Sequence, residues 1–262
     1  MEAKQLDKKN MPIGFFDSGV GGLSVLKEAL KLMPNEDYIY FGDSINAPYG
    51  VRDVEDVKEL TYKAVEFLLN KGAKAIVIAC NTATSAAVAS LRLTYPDLPL
   101  VGIEPAVKPA VKLNTNKKVI IMATPMTIKE KKFNNLMNRF KDEAEIVPMP
   151  CAGLMEFVEA GKLESTELKD YLVDKYRDYN KEEIGAVVLG CTHYPFAKPV
   201  ISEILGNDIP IIDGGMGTCK ELRRRLGVAD LLTDSKEKGK VELYNSLKEQ
   251  RIIDICNKLL EI

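Results

Sequence analysis

One histidine, His193, is all the imidazole this chain of 262 residues contains. Cysteine is scarce too. The five thiols, Cys80, Cys151, Cys191, Cys219 and Cys256, are widely spaced and odd in number. That pattern argues against a disulfide framework and fits a reducing cytoplasm. A zinc centre would need Cys80, Cys191 and His193, with Cys151 as a fourth ligand. No C-x-x-C pair exists and C-x-H is an unusual spacing, so no metal is expected. Charge of one sign is also missing, with 36 basic against 38 acidic residues and a formal net charge of -2. No nucleic-acid or membrane partner is expected from that balance. No apolar run approaches the length of a membrane span. The start, "MEAKQLDKKN", lacks the apolar centre of a secretory signal and reads as a mobile arm. The dinucleotide pattern G-x-G-x-x-G fails, since Ser24 stands where a third glycine should follow Gly19 and Gly21. A Walker A motif is absent, and no lysine-bearing motif points to pyridoxal phosphate, so no cofactor is expected.

What the chain does have is a recurring alternation. Short apolar runs appear at 13–16, 38–41, 75–79, 100–103, 118–123, 145–149, 186–190 and 209–212. They are rich in Ile and Val, and several are apolar on consecutive residues, as strands buried on both faces are. Between them lie segments of helical spacing at 22–33, 54–72, 126–140 and 165–179, and a helical tail is expected over 241–261. Strands alternating with helices predict an α/β fold with mostly parallel sheets.

Two stations repeat. "IVIACNTATS" ends a run in Cys80, and "VVLGCTHYPF" ends another in Cys191. Each thiol sits where a strand gives way to a helix, and functional groups collect at the carboxyl ends of parallel strands. The separation is about one small domain. Two similar lobes with the active site between them are therefore expected. The first would comprise 1–103 plus the returning 214–262, and the second 104–213. Prolines in "GIEPAVKPA" and glycines in "DGGMGT" suit the two crossings.

A third turn, "FFDSGVGGLSVL", carries Asp17 and Ser18 at a strand exit, with glycines that let backbone approach a ligand. In "YFGDSINAPYG", Tyr49 could bring a hydroxyl to a site, but the segment otherwise reads as a loop. Cys80 precedes Asn81 and Thr82, either of which could cap the helix. A thiol at a helix start has a lowered pKa. Cys191 stands two residues before His193, whose imidazole exchanges protons near neutral pH. Cys219 and Cys256 fall in helix-like stretches and read as structural. Lys220, Arg223, Arg224 and Arg225 read as a solvated helix face.

A Cys-His pair alone suggests acyl transfer. Matched thiols on facing lobes suggest something narrower. One thiolate removes a proton from carbon, and the opposite thiol returns one to the other face. The result is inversion at a stereocentre, and the reverse reaction exchanges the roles. Without a cofactor, carbanion character at an amino acid's α-carbon must be stabilised by preorganised charge and hydrogen bonds.

At these residues the sequence resembles the cofactor-independent glutamate racemases of the aspartate/glutamate racemase superfamily. The matching segments are "IGFFDSGVGGLSVL", "YFGDSINAPYG", "IVIACNTATSAA", "VGIEPAVKPA" and "LGCTHYPF". The resemblance implies conversion of L-glutamate to D-glutamate for peptidoglycan. It makes Cys80 and Cys191 the acid/base thiols, assisted by Asp17 and His193. Ser18, Tyr49, Gly50, Asn81, Thr82, Thr192 and His193 would line the pocket, with Asp43 close by. A family glutamate is best matched by Glu159, with Glu156 one helical turn away as the alternative. "DGGMGT" departs from the usual family wording, which leaves that turn's contacts open. Glutamate is the expected small-molecule partner and a homodimer the expected assembly. The rivals are an aspartate racemase or another two-cysteine member, such as a maleate isomerase or a decarboxylase. From a different class, a non-catalytic carboxylate-binding protein would use the same cleft.

Overall fold

The computed structural model describes residues 8–113, 117–129 and 131–261. Of the polar start read as an arm, residues 1–7 lie outside the described residues. The rest of it is tied down: Lys9 pairs with Asp230 at 2.9 Å, and its carbonyl accepts from Lys74 Nζ at 2.5 Å.

The chain begins with β1 (Ile13–Asp17), α1 (Leu23–Leu32), β2 (Tyr38–Gly42), α2 (Val54–Asn70), β3 (Ala75–Ile78), α3 (Asn81–Thr94) and β4 (Leu100–Gly102). It then runs through α4 (Val107–Leu113), β5 (Lys118–Ala123), α5 (Pro125–Lys129), α6 (Lys131–Asn138), β6 (Ile146–Pro150), α7 (Leu154–Glu159), α8 (Thr166–Tyr176), β7 (Ile184–Leu189), α9 (Lys198–Leu205) and β8 (Ile211–Asp213). It closes with α10 (Gly215–Val228), β9 (Val241–Asn245) and α11 (Gln250–Glu261).

The strands form two sheets, one of five strands in the order β4-β3-β1-β2-β9 and one of four in the order β6-β5-β7-β8. All the pairings are parallel. β1, β3 and β7 are buried at every residue, which is why they read as unbroken apolar runs. On one face of the first sheet, α1, α10 and α11 bury Leu23, Leu26, Leu222, Leu226, Ile252 and Leu259. On the other face, α2 and α3 bury Val57, Val65, Leu68, Val88 and Leu91. The second sheet has its own two cores, one around Leu154, Leu168, Leu172 and Ile201, the other around Val107, Phe133 and Val188. The fold is α/β, with a helix-flanked parallel sheet in each lobe.

One expectation from periodicity is corrected. The tail is not one helix: residues 241–245 form β9, paired with β2 in register from Tyr38↔Val241 to Gly42↔Asn245. "VELYN" places Val241 and Leu243 against the core two residues apart, a strand's period. The chain then turns through Lys248, whose φ of 56° no helix contains. The helical spacing read over 126–140 is matched by helix at Pro125–Lys129 and Lys131–Asn138, with residue 130 outside the described residues.

Cys219 and Cys256 are buried in the first core, and Cys219 Sγ donates to the Val25 carbonyl at 3.4 Å. The departing turn at Asp213 is settled locally, since its carboxylate accepts from Gly215 N–H at 2.7 Å. Gly214 must lack a side chain, because a Cβ there would lie 2.3 Å from the Glu104 carbonyl at the other crossing.

One ion pair is fully enclosed. Lys74 Nζ and Glu36 Oε2 lie 2.5 Å apart with side chains 1% and 3% exposed. Glu36 also accepts from Thr233 N–H at 2.8 Å, so the pair joins the base of β3, the approach to β2 and the loop before β9. Removing one partner strands the other charge away from water. Glu36→Ala is therefore expected to lower the unfolding free energy by about 3–5 kcal/mol in denaturant titrations.

Candidate active site

The βα turns after β1, β3 and β7 meet at the carboxyl edges of the two sheets. Cys80 is the N-cap of α3, and its sulfur accepts from Ala83 N–H at 3.4 Å. Its thiol donates to Ser18 Oγ at 3.6 Å. The expected lowering of its pKa does not survive the surroundings. Burial, then the nearby Asp17 carboxylate, push the thiol up to about 12, outweighing the helix-start amide and Ser18. Cys80 therefore rests as a neutral thiol near neutral pH. The charge of Cys191 is a further upward influence, which places both sulfurs in one electrostatic neighbourhood. They are 5% and 8% exposed, so both sulfurs are shielded from bulk water.

The Cys191 half has a relay. Its sulfur lies 3.7 Å from His193 Nδ1, and His193 Nε2 lies 2.6 Å from Glu159 Oε1. Glu159, not the exposed Glu156, meets the imidazole. The same Glu159 oxygen accepts from Val20 N–H at 2.7 Å. The carboxylate has no hydrogen to give, so Nε2 must donate and Nδ1 is left facing the sulfur. Burial works against the imidazolium, but hydrogen bonds to Cys191 and Glu159 raise the His193 pKa well above 6.5. An imidazolium there stabilises negative charge on the Cys191 sulfur.

Much of this second half is held by the turn after β1, from the opposite lobe. Thr192 Oγ1 donates to Asp17 Oδ1 at 2.9 Å, and Asp17 Oδ2 accepts from Gly19 N–H at 3.0 Å. Asp17 is fully buried. Burial raises its pKa against the lowering effects of His193 and Thr192. A Cβ at Gly19 would lie 1.9 Å from Glu159 Oε1, and one at Gly21 would lie 2.3 Å from His193 Nδ1. These glycines admit the second lobe's side chains, so the motif that failed as a nucleotide loop is a seat for Glu159 and His193.

The remaining residues divide. Thr82 Oγ1 reaches across to Thr124 Oγ1 at 3.2 Å and Thr127 Oγ1 at 3.1 Å. Gly50 packs where a Cβ would lie 2.7 Å from Thr124 Cβ. Thr124 and Thr127 were missed in the sequence, although Thr124 directly follows β5 and a strand-exit rule would have found it. Tyr49 is buried and donates to Asp43 Oδ2 at 2.7 Å, so its hydroxyl is engaged within its own lobe. Asn46 Nδ2 donates to the same Asp43 carboxylate. Asn81 stands apart: neither amide atom has a hydrogen-bond partner among the described residues, though both are buried. Asn81 and Thr127 line a cavity of about 230 Å³ between α3 and α6. Cys151, weighed as a zinc ligand, donates its thiol to the Met149 carbonyl at 3.4 Å.

Residues 18–222 match the Asp/Glu/Hydantoin racemase family. This chain belongs to that family. A glutamate racemase of Clostridium botulinum (strain Alaska E43 / Type E3) is 57% identical over 256 residues, 98% of this chain and 99% of that protein. A glutamate racemase of Clostridium novyi (strain NT) is 57% identical over 258 residues, 98% of this chain and 100% of that one. The fold is similar to that of a glutamate racemase from Bacillus anthracis, with a TM-score of 0.86 and 30% identity over 97% of this chain and 95% of that one. A Francisella tularensis glutamate racemase in complex with D-glutamate has a TM-score of 0.82 and 29% identity, at 97% and 95% coverage.

Because His193 is the only histidine, its imidazole gives a single set of ring resonances. A proton NMR titration is expected to place its midpoint above 6.5, the direction its partners dictate. Glu159→Gln removes one raising influence and moves the midpoint down. Stability gained from this raised pKa is full below the unfolded value and is lost as pH rises through the folded one. A midpoint at or below the unperturbed value would contradict the relay.

Proposed function

We propose that this protein racemises glutamate, without a cofactor, by proton transfer between Cys80 and Cys191 on opposite faces of the α-carbon. Family membership and the glutamate racemase identity of its close relatives support the substrate. The observation that carries the mechanism is the unequal setting of the two thiols. Cys80 is held protonated by burial and Asp17, whereas Cys191 has an imidazole at 3.7 Å. One sulfur is thereby set to donate and the other to accept.

In one direction the Cα–H bond breaks and its proton passes to the Cys191 sulfur. The Cys80 S–H bond then breaks and delivers a proton to the opposite face. The protein ends with its thiol roles exchanged, and the reverse direction restores them. In this reading Asp17 faces the substrate ammonium. Asn81, whose buried amide is unpartnered among the described residues, takes a substrate carboxylate oxygen. An unpaired buried amide costs about 1–3 kcal/mol, which such a ligand relieves. Ser18, Thr82 and Thr192 provide hydroxyls around it, with Tyr49 and Gly50 shaping the wall. D-glutamate supply for peptidoglycan in the cytoplasm is the role this activity fits, and all the cysteines are unpaired. A homodimer is the proposed assembly. No described helix is long and apolar enough to cross a membrane.

The test is racemisation in deuterated water. Solvent deuterium is expected at the α-position of glutamate as optical rotation decays, and aspartate should turn over far more slowly. Faster turnover of aspartate would move the substrate assignment to that acid. Cys80→Ser and Cys191→Ser should each cut racemisation by about a thousandfold, because a hydroxyl is a far weaker acid than a thiol. Tight glutamate binding with no exchange, unaltered by either substitution, is the outcome a binding protein would give.

A further inference from the structure

Thr192 sits between the thiol Cys191 and its partner His193, and the opposite lobe grips it at two atoms. Its hydroxyl goes to Asp17. Its carbonyl accepts from Ser24 Oγ at 2.8 Å, across 168 residues of sequence. Ser24 lies in the first turn of α1, one helical turn beyond Gly21, whose missing Cβ admits the His193 ring. The start of α1 thus meets the Cys191–His193 segment with a gap for the ring and a hydroxyl for the peptide that precedes it. We propose that Ser24 is a positioning residue for Cys191, fixing the second lobe's proton-transfer half through the Thr192 carbonyl while leaving the Cys80 half untouched. The inference rests on the two-thiol reading given above.

The geometry supports a one-sided effect. The Thr192 carbonyl belongs to the Thr192–His193 peptide, so its tilt carries both the imidazole and the adjoining backbone of Cys191. Cys80 takes its own contacts from Ala83 N–H and Ser18. Neither depends on Ser24. With Ser24 gone, Thr192 keeps its hydroxyl anchor on Asp17 and loses only the restraint on its carbonyl.

The experiment is Ser24→Ala, assayed in both directions with α-protiated and α-deuterated L- and D-glutamate. Alanine favours the helix more than serine does, so the fold is retained. Loss of one neutral hydrogen bond at a proton-transfer step predicts a fall of about tenfold in kcat/KM. The fall must be equal in both directions, because the two enantiomers are equal in free energy. The isotope effects are not bound by that equality. For the enantiomer that gives its proton to Cys191, the effect on kcat/KM should rise. For the enantiomer deprotonated by Cys80 it should drop, because the later return of a proton from Cys191 becomes limiting. Ser24→Cys, which keeps a weak donor, should shift both effects in the same senses by less.

A merely structural serine would lower thermal stability and leave the balance of isotope effects where it was. That result, or isotope effects that move together, overturns the inference while the two-thiol reading stands. A wild-type protein that exchanges no α-proton removes the two-thiol reading and this inference with it.

Discussion

The Cys191 half of the site depends on one turn, residues 17–24, serving the lobe it does not belong to. Its backbone amide at Val20 fixes Glu159, its bare α-carbons at Gly19 and Gly21 make room for Glu159 and His193, and Asp17 holds the Thr192 hydroxyl. Each contact is individually modest. Together they orient the imidazole between a sulfur and a carboxylate within a space too tight for a methyl group. Either lobe alone would carry a cysteine, but only at their junction is the His193–Glu159 pair beside Cys191 seated against the first lobe's turn.

The two thiols consequently differ in their surroundings, although the proposed reaction would ask them to be equivalent over a full cycle. Cys80 has a helix-start amide and a hydroxyl, and burial beside Asp17 outweighs both. Cys191 has a histidine that Glu159 helps to keep charged. A substrate ammonium facing Asp17, as proposed, would offset the carboxylate charge that raises Cys80, so binding itself would ease that thiol's deprotonation.

Strand positions and the twin cysteine stations were legible because strands buried on both faces leave unbroken apolar runs, and a thiol after each is conspicuous. The expected effect of the helix start on Cys80 was not, because local position names one influence while burial, a property of the assembled fold, sets the sign. β9 escaped because "VELYN" is short and its turn is marked only by the backbone conformation of Lys248. Glu159 could be separated from Glu156 only by seeing which one the loop amide of Val20 reaches. Thr124 left a readable signal at the end of β5. Ser24 left none, since a serine in the first turn of a helix has an ordinary reading as a local cap, and its partner lies in the other lobe.

The placement of β9 has a consequence for how the chain is made. The four-stranded sheet is drawn from one uninterrupted stretch, 118–213, and can close as soon as that stretch has emerged from the ribosome. The five-stranded sheet waits for residues 241–245 to cover the outer edge of β2. During synthesis the later half of the polypeptide can thus be complete while the earlier half still presents an open edge, an interval in which a neighbouring nascent chain could pair with it.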